Sequence, residues 1–121
     1  MRFSVGIDIE EVKRFQSLVR NKRFIERVFT QEEIAYCSTK KNKAQHFAVR
    51  FAAKEAVWKA VNEALPKSSK GLGHQDIGLE NAPSGKPQVF LRGVFAKLSK
   101  KISVSLSHTG SHAVAVALFQ R

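Results

Sequence analysis

Glu55 is the acidic residue whose position most strongly suggests a chemical role. It is the only acid in the segment 47–61, where every uncharged residue is Phe, Ala, Val or Trp. Because Phe47, Phe51 and Glu55 are spaced four apart, the carboxylate continues an apolar stripe if this segment is a helix. An intrahelical pair with Lys59 would compensate its charge. The alternative is that Glu55 binds a ligand or acts in catalysis, and the spacing leaves both interpretations open.

Asp8 is a second acid in an apolar setting. It stands at the end of the alternating segment 3–9, just before a predicted helix. One interpretation is that Asp8 caps this helix together with Glu11. The other is that Asp8 and Glu55 converge, since Mg²⁺ is commonly held by one or two carboxylates with waters and substrate phosphates.

His108 and the turn 84–87 are weaker candidates. His108 is in phase with the apolar residues of segment 102–106 and precedes Thr109. It is either a hydrogen-bonded structural residue or a catalyst. The Ser-Gly-Lys-Pro turn is able to cradle a phosphate through its amides and Lys86, but such a turn also forms without a ligand. Zinc-ligand spacing, a Walker loop and a dinucleotide glycine fingerprint are all missing, which argues against those chemistries.

The charge balance predicts an anionic partner. Lys and Arg number 21 against 10 Asp and Glu, a formal net charge of +11. Basic residues cluster on and beside the first predicted helix, and Phe24 lies among Arg14, Arg20, Arg23 and Arg27. They form either a solvated face or a docking surface for an acidic protein or a nucleic acid.

The first residues of the chain have the pattern of a strand, which would carry Asp8. Phe3, Val5, Ile7 and Ile9 alternate with smaller or polar residues, as in a half-buried strand that ends near Ile9. A first helix over 10–20 should follow, with acids at its start and bases towards its end.

The longest segment without Gly or Pro predicts the central helix, over 44–65, and this helix carries Glu55. Before it come a basic connection over 20–23 and an apolar segment over 24–29. A capping box at Thr30–Glu33 should open a short helix.

The second half of the chain changes to a strand pattern. A Gly- and Ser-containing loop over 66–73 is followed by short strands over 76–80 and 88–91, a third helix around 94–98, and a hairpin of strands 102–108 and 112–119. The predicted fold class is α+β, with a largely antiparallel sheet packed on a long central helix. Residues 1–121 should form a single domain.

Length and composition restrict the remaining possibilities. No window approaches the roughly 20 apolar residues that a membrane-spanning helix needs. Asp8 interrupts the N-terminal segment before a signal-peptide core has formed, and the single Cys37 excludes an intrachain disulfide, so we expect a cytoplasmic protein. A chain of 121 residues encloses a large ligand with difficulty, which favours pockets shared between subunits.

Several segments together resemble one family, the holo-acyl-carrier-protein synthases, which are small phosphopantetheinyl transferases. They occur in the family's order over essentially the whole chain. The most specific is Arg-Phe-Ala-Ala-Lys-Glu-Ala at 50–56; the others are Gly-Ile-Asp-Ile at 6–9, the turn 81–87 with its Gly-Lys-Pro, and Val-Ser-Leu-Ser-His-Thr at 104–109.

The resemblance implies a role for each candidate. Asp8 and Glu55 would be magnesium ligands, and Lys59 would contact a phosphate of coenzyme A. The nucleotide site would be lined by Gly85, Lys86, Pro87, His108 and Thr109. The basic surface of Arg14, Arg20, Arg23, Phe24 and Arg27 would meet an acidic acyl carrier protein.

The implied reaction is attack by a carrier serine hydroxyl on the coenzyme A phosphorus nearest the pantetheine, which expels adenosine 3',5'-bisphosphate. The family's assembly, a homotrimer with active sites between subunits, would suit so small a chain. The competing hypotheses are a basic nucleic-acid-binding module and a family member that has lost catalysis. The identity of the carrier, the range of acylated coenzyme A analogues and the group that deprotonates the serine stay open.

Overall fold

The computed structural model describes residues 2–67 and 71–121. In chain order the elements are β1 Phe3–Glu11, α1 Val12–Leu18, α2 Lys22–Val28, α3 Gln31–Ser38, α4 Lys43–Ala64, a 3₁₀ turn His74–Asp76, β2 Ile77–Asn81, β3 Pro87–Leu91, a 3₁₀ segment Gly93–Lys101, β4 Ile102–His108 and β5 His112–Gln120. In this part of the chain, no helix has the length and apolar character needed to cross a membrane.

The strands form two antiparallel sheets. The larger has the order β1-β5-β4, with β5 in the centre, and the smaller is the hairpin β2-β3. The α+β class with a long helix on antiparallel sheet is therefore confirmed. The tight turn between β2 and β3 contains Gly85, whose φ of 88° suits a residue without a Cβ.

Helix α4 is the central element, and its 22 residues pack across both β1 and β5. Small residues bring the helix close to the sheet: Ala52, Ala56 and Ala60 on α4 face Ala115 and Ala117 on β5 in one buried cluster. The closest approach is at Gly6 on β1, where an added Cβ would collide with the carbonyl oxygen of Ala56. The strand and helix that carry the candidate carboxylates are thus held in direct backbone contact.

Strand β1 is half-buried, as its alternation predicts, but the buried face is the one with the small and polar residues. Phe3, Val5, Ile7 and Ile9 are between 47% and 62% exposed, whereas Ser4, Gly6 and Glu10 are buried. The reason is the close approach of α4, which admits only the small and polar face of the strand. The apolar face is left uncovered in the single chain.

Two predicted boundaries near the N-terminus were wrong. Strand β1 runs on to Glu11 because its ladder with β5 continues to the pair Glu11↔His112. The first helix is therefore only Val12–Leu18 instead of 10–20. The expected basic connection and the apolar segment after it form α2, which Asn21 caps by accepting a hydrogen bond from the Phe24 amide.

The other elements agree with the sequence patterns to within a few residues. The capping box at Thr30–Glu33 is present, the central helix lies within one residue of its predicted ends, and the C-terminal hairpin is formed by β4 and β5. The third predicted helix is of the 3₁₀ type. Residues 68–70 of the predicted 66–73 loop lie outside the described residues.

A buried ion pair joins α3, α4 and β2. Lys54 Nζ lies 2.6 Å from Glu33 Oε1 and donates to the carbonyl oxygen of Ile77 over 2.7 Å. Glu33 also accepts hydrogen bonds from the amides of Thr30 and Leu79. Burial lowers the pKa of Lys54, and the charge and hydrogen bond of Glu33 oppose that shift. The network fixes α4 relative to the small sheet.

Candidate active site

Asp8 lies in the middle of β1, opposite Ala115 of β5, on the face that meets α4. Its Oδ2 atom is buried and has no hydrogen-bond partner among the described residues. The helix-cap interpretation is wrong, because the residue at the N-cap of α1 is Glu11, and no side-chain cap hydrogen bond forms there. A buried carboxylate oxygen without a donor is costly unless a ligand satisfies it.

Lys59 connects α4 to the strand that carries Asp8. Its Nζ donates to the carbonyl oxygen of Ile7 over 3.0 Å and lies 3.6 Å from Asp8 Oδ1. The intrahelical Glu55–Lys59 pair considered from the sequence does not form; Glu55 contacts His74 instead. The lysine side chain is 46% exposed, so its charge remains available to an anion from solution.

Glu55 is held by a histidine that the sequence analysis did not single out. His74 Nε2 lies 2.8 Å from Glu55 Oε1. The imidazole is nearly parallel to the rings of Phe51 and Trp58, with interplanar angles of 4° and 7°. Because His74 comes from the 3₁₀ turn after α4 and follows no local periodicity, only tertiary structure reveals the contact.

Glu10 is a third carboxyl group at this site, and it too was missed. It follows Asp8 by two residues on the inner face of β1 and pairs with Arg14 over 2.8 Å. Burial raises the pKa of Glu10 to about 8, helped by a hydrogen bond and the charge of Asp8 and by the charge of Glu55, while Arg14 opposes the shift. Asp8, Glu10 and Glu55 therefore lie in one region, where a proton on Glu10, hydrogen-bonded to Asp8, reduces the negative charge.

This donor set suits a hard divalent cation. Carboxylate oxygens are the ligands that Mg²⁺ prefers, and Asp8 Oδ2 accepts from no N–H or hydroxyl donor among the described residues. Within residues 2–67 and 71–121, no three His, Cys, Asp or Glu side chains form a complete metal-binding group. Two carboxylates alone would give an open site, with positions left for water and substrate oxygens.

The remaining candidates form two further groups. Gln45 Nε2 lies 3.1 Å from His108 Nδ1 and donates to the carbonyl oxygen of Thr109 over 3.2 Å. Lys86 and Pro87 line a separate cavity of about 360 Å³ between β3 and β4. No described hydrogen bond or ion pair joins either group to Asp8 or Glu55, but Glu10 and His108 lie opposite the same residue of β5, Ala113.

The four arginines of the predicted basic surface are all exposed: Arg14, Arg20, Arg23 and Arg27. Phe24 is half-buried, and its ring packs on the buried phenylalanines of the core, with centroids 6.0–6.3 Å away. The Phe24 ring therefore packs mainly against the core beneath these arginines.

Comparisons with known proteins agree on one family. Residues 4–117 match the family described as the 4'-phosphopantetheinyl transferase superfamily. A holo-[acyl-carrier-protein] synthase from Geotalea daltonii is 42% identical, covering 100% of this chain and 100% of the relative. Nothing in these comparisons supports the nucleic-acid-binding alternative.

Solved structures give the same result. A Chronobacterium ammoniagenes ACPS-CoA complex matches with a TM-score of 0.81 and 27% identity over 100% of both chains. The Helicobacter pylori holo-[acyl-carrier-protein] synthase in complex with coenzyme A matches with a TM-score of 0.78 and 29% identity, over 96% of this chain and 99% of that one. With fold, motifs and full-length relatives in agreement, the chain belongs to the holo-acyl-carrier-protein synthases of the 4'-phosphopantetheinyl transferase superfamily.

Proposed function

We propose that the protein transfers the 4'-phosphopantetheine group of coenzyme A to a serine of an apo-acyl carrier protein. Its relatives carry the name of this activity, and two of the similar structures contain coenzyme A. The observation in this chain that carries the proposal is the unsatisfied Oδ2 of Asp8, beside the exposed ammonium group of Lys59. A cation for that oxygen and a phosphate for that ammonium group are what the reaction requires.

Asp8 and Glu55 would hold the magnesium ion. When bound, the ion supplies positive charge that stabilises the pyrophosphate oxygens as they gain charge. Asp8 would reach the ion from the middle of β1 and Glu55 from α4, two elements in close backbone contact at Gly6 and Ala56. Lys59 would place a second positive charge against a phosphate of coenzyme A.

The reaction exchanges one phosphorus–oxygen bond for another. The carrier serine oxygen bonds to the phosphorus nearest the pantetheine, and the bond from that phosphorus to the bridging oxygen breaks. Adenosine 3',5'-bisphosphate leaves with the bridging oxygen, and the serine proton passes to a base. The protein's part is to position the reactants and stabilise charge, since no covalent enzyme intermediate is needed.

The nucleotide would be bound by Gly85, Lys86, Pro87, His108 and Thr109. Because Lys86 and Pro87 line a cavity that contains neither Asp8 nor Glu55, we propose that a complete site combines residues of two copies. The uncovered apolar face of the large sheet supports such an assembly: besides the four exposed apolar residues of β1, Val116 and Leu118 of β5 are exposed on it. A homotrimer built on this face would bury it.

The acidic carrier protein would dock on the surface formed by Arg14, Arg20, Arg23 and Arg27, with Phe24 beneath it. Four exposed guanidinium groups, on α1, on α2 and in the turn between them, favour an acidic helix by charge complementarity. Arg14 also contacts Glu10, so the docking surface adjoins the carboxylates directly. The cytoplasmic location and the single-domain organisation remain predictions.

The test is incubation with coenzyme A, Mg²⁺ and an apo-acyl carrier protein, read by mass spectrometry of the carrier. We expect the carrier to gain one phosphopantetheine group, and only when Mg²⁺ is present. Glu55→Gln should abolish the gain while the circular dichroism spectrum stays the same, because a neutral amide is a poor ligand for a hard cation. An unmodified carrier together with tight, salt-sensitive binding of RNA or DNA would favour the nucleic-acid alternative.

A further inference from the structure

We propose that His74 is a positioning residue for Glu55, which it holds so that one carboxylate oxygen faces the divalent cation. The proposal rests on the metal role of Glu55 in the proposed function. It concerns a histidine that matches none of the family segments found in the sequence.

Three side chains on one side of α4 face His74. Phe51, Glu55 and Trp58 are spaced four and three residues apart, so they occupy one side of the helix. The His74 ring is stacked with Phe51 at a centroid distance of 5.9 Å and with Trp58 at 6.4 Å. Contacts to a ring one turn before Glu55 and to a ring about one turn after it fix the plane of the imidazole above the carboxylate.

In the hydrogen bond between His74 and Glu55, the histidine is the donor. An ionised carboxylate only accepts, so Nε2 of His74 carries the proton and donates to Glu55 Oε1 over 2.8 Å. Within residues 2–67 and 71–121, no hydrogen bond reaches the second oxygen, Oε2. The contact therefore occupies one oxygen of Glu55 and leaves the other for a ligand.

Holding the Glu55 carboxylate in one orientation would lower the entropic cost of binding a cation. A glutamate on a helix surface has three rotatable side-chain bonds, and binding a cation would require it to give up that freedom. A partner that already holds the carboxylate reduces this cost, and mutation of such partners typically weakens metal binding by about 10- to 100-fold. We therefore expect His74 to act on metal affinity more than on the stability of the fold.

The partial exposure of the two side chains supports this separation. The side chains of His74 and Glu55 are 28% and 22% exposed, so water can replace part of their hydrogen bond when it is removed. The aromatic stack, in contrast, contributes apolar packing that a phenylalanine would retain. The hydrogen bond and the packing are thus separable by substitution.

The experiment compares His74→Phe, which keeps an aromatic ring but removes the donor, with His74→Gln, which keeps an N–H donor but removes the ring. Mn²⁺ serves as the probe, and its free concentration is followed by electron paramagnetic resonance during titration of the full chain. Thermal unfolding of each variant reports on the fold. Glu55→Gln is titrated in parallel as the control for the metal site itself.

We expect His74→Phe to weaken Mn²⁺ binding by about tenfold or more and to raise the Mg²⁺ concentration needed for half-maximal carrier modification by a similar factor. His74→Gln should bind Mn²⁺ more tightly than His74→Phe. Parent-like affinity in His74→Phe, or equal losses in both variants, would overturn the positioning role while leaving the metal role of Glu55 intact. Unchanged Mn²⁺ affinity in Glu55→Gln would instead remove the metal role, and this proposal with it.

Discussion

Lys59 Nζ lies 3.6 Å from Asp8 Oδ1, so the central helix and the first strand place a cation and a carboxylate side by side. The same ammonium group is tied to the backbone of β1 through the carbonyl oxygen of Ile7. Under the proposed function, the second oxygen of Asp8 would bind the divalent ion and the exposed side of Lys59 would bind a phosphate.

Lys59→Ala is expected to weaken the use of coenzyme A without unfolding the protein. A charge-assisted contact to phosphate is worth about 1.5 to 3 kcal/mol, so KM for coenzyme A should rise at least about tenfold. The Asp8 side chain is only 13% exposed, so loss of its ionic partner should also lower the free energy of unfolding, by about 1 to 3 kcal/mol. Steady-state kinetics and urea unfolding measure the two quantities. The exposed Lys97 provides a matched control, Lys97→Ala, and equal KM values in the two variants would contradict the assignment.

Gly6→Ala is expected to damage both fold and site. The added Cβ meets the backbone carbonyl of Ala56, which no side-chain rotation relieves, so α4 must move away from β1. Overpacking of this kind costs about 1 to 3 kcal/mol or more, and the shift would separate Glu55 from Asp8. Gly110→Ala is the control, since no heavy atom lies within 4 Å of its added Cβ. Urea unfolding should show a large loss for Gly6→Ala only; similar midpoints for both variants would argue against the close contact.

Glu10 should make the stability of the metal-free protein depend on pH. Its pKa is about 8 in the folded chain against an ordinary value of 4.5. Between these values the folded state keeps a proton that the unfolded state has lost, so the free energy of unfolding should fall as pH rises from 4.5 to about 8. Glu10→Gln should remove part of this fall. Urea unfolding in EDTA across that pH range measures it, and parallel curves for parent and variant would show that Glu10 is not the group responsible.

Val5→Lys is expected to break the proposed homotrimer. Val5 is 56% exposed in the single chain and lies opposite Leu118 on the uncovered face of the sheet. A lysine there would bring three like charges into an apolar interface. Sedimentation velocity should show a trimer for the parent and a smaller species for Val5→Lys. Val94→Lys, at a residue 85% exposed on the 3₁₀ segment, should leave assembly unchanged. A monomeric parent, or a trimer that Val5→Lys leaves intact, would contradict the proposed interface.

Local patterns were sufficient to predict most elements. The central helix follows from a long segment without Gly or Pro, and the capping box at Thr30–Glu33 follows from its residue types. Alternation identified β1 but did not show which of its faces meets the helix. That choice depends on how closely α4 approaches Gly6, a tertiary contact between distant parts of the chain.

The candidate site was predicted in part for the same reason. Asp8 and Glu55 stood out because each is an acid in an apolar setting. Glu10 was assigned to the first predicted helix, so its place beside Asp8 on the inner face of β1 was missed. His74 follows a loop and has no neighbours in phase with it, so only the fold places it against Glu55.

The most direct test of the central claim is a crystal of the protein grown with Mn²⁺ and coenzyme A, with anomalous diffraction used to locate the metal. We expect one Mn²⁺ ion within bonding distance of both Asp8 and Glu55 and of coenzyme A pyrophosphate oxygens. A Mn²⁺ position that excludes either carboxylate, with coenzyme A bound, would contradict it.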